Sequence, residues 1–192
     1  LEKTYYSFDL NNAHFVFIDP YVDYKPGSAQ YQFIENDLKT ASTNPKIDWM
    51  FVAESTPFYT SPSQHPANST IRDIYHPLFD KYDVDLVISS HNQYYERTYP
   101  LLYNPKSDEY PIFNNNLTSN YYQNPDGIIF LTVGTAGDEL QDIEYQEDYY
   151  IIQDDDDFGF LDLKLENNGK TIVGEFHTNE GDIIDHFELK RI

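Results

Sequence analysis

Cysteine is absent from the chain, which excludes disulfides, thiolate-bound zinc and thiol catalysis. Basic residues are scarce: 12 Lys and Arg stand against 33 Asp and Glu, for a formal charge of −21. A surface of that sign repels nucleic-acid phosphates and anionic lipid headgroups and attracts divalent cations and basic surfaces. Nucleic acid is therefore not expected as a partner. No apolar run is long enough to span a bilayer, so membrane insertion is not expected either, and no secretory leader is visible. The chain opens at Leu1-Glu2-Lys3 without a Met, and a preceding segment is expected.

What is present is aromatic. Phe, Trp and Tyr make up 17% of the 192 residues, with 18 tyrosines, enough to build a core and to place amphipathic rings at the surface. The length suits a single domain or a half-domain over 1–192. Two sequons, Asn68-Ser69-Thr70 and Asn116-Leu117-Thr118, fall in loop-like sequence and fit a glycosylated protein. Together with the acidic charge they lead to an expected location outside the cell or at its surface.

Along the chain, residues 5–10 and 14–19 read as strands around an Asn11-Asn12 turn. Ser28 caps a helix with Tyr31, Ile34 and Leu38 on one face, and residues 48–53 form an apolar strand of the doubly buried kind. A Ser/Pro/Thr-rich loop over 54–69 leads to a helix over about 70–82, which Pro77 should kink or delay. A strand over 84–89 follows and runs into a polar turn at Ser90 to Pro100. Residues 101–126 read as an irregular excursion, 128–133 as a strand, and 138–157 as an acidic loop. Three strands over 160–165, 171–178 and 183–190 close as hairpins through Asn167-Asn168-Gly169 and Asn179-Glu180-Gly181. The fold class is α/β, with a parallel crossover unit ahead of antiparallel hairpins.

The stretch Ser90-His91-Asn92-Gln93-Tyr94-Tyr95-Glu96-Arg97-Thr98-Tyr99-Pro100 resembles the Gly-His-x-His-x-Tyr-Glu-Arg-x-Tyr-Pro signature of purple acid phosphatases and related calcineurin-like metallophosphoesterases. Tyr6-Ser7-Phe8-Asp9, the helix from Gln32 to Leu38, Pro57-Phe58-Tyr59, Pro77 to Asp85 and Val133 to Gly137 are similar to family landmarks in the same order. The resemblance implies the C-terminal half of a metallophosphoesterase-type β-sandwich flanked by helices. The Gly-Asp-x-x-Tyr and Gly-Asn-His motifs of the family's N-terminal half are absent.

The same resemblance assigns residues. His91 matches one metal-binding histidine, Gln93 stands where a second is expected, and counting back from Pro57 and Tyr59 puts a third at Ser55, beside Glu54. His65 lies in the loop where the family often carries a histidine that binds phosphate or protonates the leaving group. His65 and His91 are thus the candidate catalytic residues, and His91, Gln93, Ser55 and Glu54 the candidate metal ligands. Two-metal phosphoester chemistry needs several ligands held at fixed geometry. A serine hydroxyl is a poor partner for zinc or iron, and an amide oxygen suits calcium better.

Two functions remain open at this point. One is a degenerate, non-catalytic binding or assembly protein. The other is a metal-dependent phosphomonoesterase or phosphodiesterase, acting on a phosphate ester, whose metal site is completed by a missing N-terminal half. No cofactor is assigned with certainty: iron, zinc or manganese is expected if the site is completed, calcium if the acidic loops bind. His91, Gln93 and Glu54 holding a single calcium or magnesium ion is a further alternative. The expected partner is another polypeptide or the missing half itself, with self-assembly as an alternative, because a half-sandwich leaves strand edges to cover. His177 and His186 alternate in the last hairpin and read either as a metal-binding pair or as ordinary surface residues.

Overall fold

Asn11 adopts a positive φ of 56° and turns the first two strands, β1 (Tyr6–Leu10) and β2 (Ala13–Phe17), into an antiparallel pair. The computed structural model describes residues 3–61, 65–107, 110–114 and 120–192. Helix α1 (Ala29–Ser42) follows, capped as expected by Ser28, whose hydroxyl accepts from the Tyr31 N–H at 3.1 Å. Next come β3 (Trp49–Ala53), α2 (Ser69–Lys81), β4 (Leu86–Ser89), β5 (Tyr95–Thr98), β6 (Leu101–Leu102), β7 (Ile112–Phe113) and β8 (Tyr121–Gln123). The chain ends with β9 (Ile129–Val133), β10 (Tyr150–Asp154), β11 (Gly159–Glu166), β12 (Thr171–Thr178) and β13 (Ile183–Lys190).

Seven strands form one sheet in the order β1-β2-β3-β4-β9-β5-β10, parallel from β2 to β9 and antiparallel at both margins. A second sheet has the order β11-β12-β13-β8, with β8 parallel to β13. Ile34 and Leu38 of α1 and Ile71, Tyr75 and Phe79 of α2 pack on one face of the large sheet, against Val16, Val52, Val87 and Phe130. Its other face, through Trp49, Phe51, Tyr95 and Leu131, packs on Ile172, Phe176, Phe187 and Leu189 of the small sheet. The result is the expected α/β layering, helices over sheet over sheet, ending in antiparallel hairpins.

Three local expectations need correction. Pro77 does not interrupt α2. Burial of Tyr75, His76, Leu78 and Phe79 on either side of it outweighs the one hydrogen bond that a proline removes. Asn68 lies at the end of the preceding loop, as expected, and caps that helix by accepting from the Ile71 N–H at 3.2 Å; the second sequon, at Asn116, lies outside the described residues. The supposed polar turn at 90–100 contains the buried strand β5, and the acidic loop contains β10. Part of the irregular excursion pairs as β6 with β7, and β8 adds a strand to the small sheet. Charged or tyrosine-rich sequence conceals these strands because their partners are far away in the chain.

Candidate functional site

Parallel strands converge their C-terminal ends on one edge of the large sheet, where α/β proteins build binding crevices. Glu54 follows β3 there, its N–H bonded to the Ile88 carbonyl of the neighbouring strand at 3.1 Å. Ser90 to Tyr94 follow β4 as a tight loop that lies against the end of β9. Gly134 permits this approach: a Cβ at that position would fall 1.8 Å from the Asn92 carbonyl oxygen. The loop turns at His91, whose φ of 76° lies in the left-handed region and costs about 1–3 kcal/mol in a non-glycine residue.

The loop is held by a buried polar network. Asn92, fully buried, donates its amide to Thr60 Oγ1 at 2.6 Å, to the Tyr94 hydroxyl at 2.6 Å and to the His65 carbonyl at 3.1 Å. Tyr94 also contacts Thr60 through its hydroxyl and donates to the Ser61 carbonyl at 3.3 Å. Glu96 accepts from the Ser61 N–H at 3.1 Å, from Gln153 Nε2 at 2.8 Å and from Thr60 Oγ1 at 3.3 Å. Burial pushes the Glu96 carboxyl up to about 7 despite those hydrogen bonds. The network ties the 58–61 segment and the His65 backbone to β5 and β10. It brings the rings of His65 and His91 to 4.4 Å between centroids.

Of the expected site residues, His65 and His91 are therefore neighbours. Glu54, Ser55, His91 and Gln93 share the ends of β3 and β4. Both Glu54 oxygens, the Ser55 hydroxyl and Gln93 Oε1 are buried without a hydrogen bond. Burial drives the Glu54 carboxyl up to about 8; the Thr56 backbone tempers the shift without forming a full hydrogen bond. Glu54, His65 and His91 do not bring their ligand atoms within 4.8 Å of one another.

These residues do not fit a two-metal phosphoesterase centre. The His91 imidazole, the Gln93 amide, the Ser55 hydroxyl and the Glu54 carboxyl are not the ligand set of two transition ions.

Beside the histidines opens a cleft of about 500 Å³ lined by His65, Gln93, Asp138, Glu139, Gln141 and Asp142. Among the described residues, no lysine or arginine lines it. Gln93 leans on Asp138 at 3.5 Å, and its N–H approaches Gln141 Oε1 at the same distance. The expected calcium site in the acidic stretch does not assemble among the described residues. Asp138, Glu139 and Asp142 face the cleft, whereas Asp155 accepts from the Ile143 N–H and Asp154 from the Asp157 N–H. No trio of carboxylates from this stretch converges. The Asn92–Glu96 network carried no sequence signal, because Tyr94 to Thr98 are all buried and their partners lie far along the chain.

No protein-family model matches the chain. It is 30% identical to purple acid phosphatase 23 of Arabidopsis thaliana over 75% of its length and 28% of that protein. It is 27% identical to probable inactive purple acid phosphatase 24 of the same plant over 98% of its length and 30% of that protein. Among solved structures, a purple acid phosphatase from yellow lupin seeds superposes with a TM-score of 0.80 at 25% identity, covering 97% of this chain and 32% of that one. The chain thus spans about three-tenths of the length of these relatives. By sequence and by fold it is a homologue of the purple acid phosphatases, corresponding to a C-terminal portion of them.

Proposed function

We propose that this chain is a non-catalytic member of the phosphoesterase-like family, with a binding or assembly role outside the cell or at its surface. One observation carries the reading: the strand-end site holds Ser55 and Gln93 at its ligand positions and opens on a cleft lined by Asp138, Glu139 and Asp142. A phosphate ester approaching that mouth meets three carboxylates, one histidine and, among the described residues, no lysine or arginine, so the local field opposes the substrate class of an active relative. Some of the similar proteins are themselves named probable inactive phosphatases. Among the described residues, no helix is long and apolar enough to cross a membrane.

The orphaned oxygens of Glu54 and Gln93 favour a second, compatible reading in which His91, Gln93 and Glu54 hold one calcium or magnesium ion. A covering polypeptide is the proposed partner. Tyr6, Phe8 and Leu10 of the edge strand β1 remain about half exposed, and the rings of Tyr6 and Phe8 stack on Phe15 and Phe17 as an aromatic ladder. Such an unpaired apolar edge is a template for another chain.

The test is metal analysis of natively purified protein by mass spectrometry, paired with phosphomonoesterase and phosphodiesterase assays in added manganese or zinc. Calcium, magnesium or no metal at this site, with no hydrolysis, is expected. Two equivalents of iron, zinc or manganese, with hydrolysis that His91→Ala abolishes, would overturn the proposal.

A further inference from the structure

On the outer face of the small sheet, strand register gathers a second group of ligating side chains. Asp162 of β11 lies directly opposite Glu175 of β12, and Glu175 opposite His186 of β13. His177 lies two residues beyond Glu175 and therefore on the same face. The two histidines are not a cross-strand pair, since His177 faces Ile183. Opposite His177 the pairing shifts, leaving one extra residue on β13. Irregularities of this kind re-aim side chains and are common beside functional sites.

Asp162, Glu175 and His177 each bring one ligand atom within 4.8 Å of the other two. Two further features point to a cation. The Lys164 ammonium already lies in the group, 3.2 Å from Asp162 Oδ2 and 2.8 Å from Glu175 Oε2. His177 Nε2 is buried without a hydrogen bond, 3.5 Å from Glu175 Oε2. Phe160 stacks on the His177 ring at 5.3 Å and 14°, fixing its plane. His186 Nδ1 stands 3.3 Å from Glu175 Oε1 and so orients the carboxylate from outside, as outer partners of metal ligands do.

We propose that Asp162, Glu175 and His177 form a binding site for one zinc-class divalent ion, guarded by Lys164. One imidazole nitrogen and two carboxylate oxygens are a borderline donor set that suits zinc better than calcium or magnesium. Three protein ligands leave coordination positions open to water or to a ligand from another chain. Lys164 holds the cation's place in the metal-free state. Its side chain is 45% exposed, so it can swing into solvent when the ion enters. The group lies on a different sheet from Glu54, His65 and His91, and its occupancy does not depend on the reading of that site.

Zinc titration by calorimetry tests this in a His65→Ala/His91→Ala background, which removes the other imidazole pair. One equivalent is expected, and cobalt substituted for zinc should show the visible absorption of a low-coordinate ion. His177→Ala should abolish the binding. His186→Ala should weaken it roughly 10–100-fold, the usual effect of losing an outer partner. Lys164→Met should strengthen it by removing the competing ammonium. No binding in the background protein, binding unchanged by His177→Ala, or weaker binding in Lys164→Met would each overturn the proposal. Circular dichroism of the variants distinguishes lost ligation from lost folding.

Discussion

Replacing Asp185 by asparagine should be among the most damaging conservative changes available to this chain. Arg97 of β5 and Asp185 of β13 join the two sheets through a two-pronged pair, Nε to Oδ2 at 2.6 Å and Nη2 to Oδ1 at 2.7 Å. Arg97 is fully buried and the Asp185 side chain is 3% exposed. Burial opposes the guanidinium charge, but the hydrogen bonds and charge of Asp185 outweigh it and hold the arginine firmly protonated. Tyr95 donates its hydroxyl to Asp185 at 2.7 Å, while Arg97 donates to Tyr122 at 3.3 Å and Asn120 at 3.1 Å. Asp185→Asn keeps the shape but strands that charge in the core, a loss of about 3–5 kcal/mol. For a chain of this length each kcal/mol lowers Tm by about 2–4 °C, so a fall of roughly 6–20 °C follows. Urea unfolding, monitored through Trp49 fluorescence, should show a lower midpoint at an unchanged slope. The double variant Arg97→Met/Asp185→Leu should lose less than the sum of its singles, because it removes both charges together. If Asp185→Asn costs under about 1 kcal/mol, below the range for a broken buried pair, the assignment of this pair as the clamp between the sheets is wrong.

Three other outcomes can be checked on the same material. Glu96 has a folded-state pKa near 7 against an ordinary 4.5. The folded protein therefore holds the extra proton across that window, and stability is full below 4.5 and lost as pH rises through 7. The slope approaches about 1.4 kcal/mol per pH unit at most, and Glu96→Gln should flatten it in pH-dependent urea melts. Gly134→Ala would drive a Cβ into the Asn92 carbonyl; the variant should lose several kcal/mol, the scale of severe overpacking, and show faster amide exchange in the His91 loop. Asn68→Ala removes the cap of α2 and should cost about 1 kcal/mol in the same melts, independently of any glycan.

How much of this was legible beforehand depends on where each residue's partner lies. The strands β3, β4 and β9 are apolar runs whose burial needs no particular partner, and the hairpin turns of the small sheet carry their own local chemistry at Asn167, Asn168 and Gly169. Helix α1 was equally local, since Ser28 and its apolar face lie within one stretch. Strand β5 is the opposite case. Tyr95, Glu96, Arg97 and Thr98 are all buried, yet a glutamate and an arginine in succession read as solvent-facing sequence. What makes them buriable is Asp185, 88 residues away, and Gln153, 57 residues away.

The candidate site divides along the same line. The expectation that Ser55 and Gln93 stand at ligand positions rests on motif spacing, which is a local property. That Glu54 is buried without partners, that Asn92 pulls His65 onto His91, and that Asp138 and Asp142 close the mouth of the cleft all depend on loops meeting across the sheet edge. The small-sheet cluster shows how register decides chemistry. His177 and His186 suggested a histidine pair from their spacing alone. The register of β12 and β13 sets Glu175 opposite His186, and one extra residue on β13 then puts His177 opposite Ile183, so Glu175 lies between the two histidines. One imidazole then lies within reach of two carboxylates, and the other braces one of those carboxylates from behind.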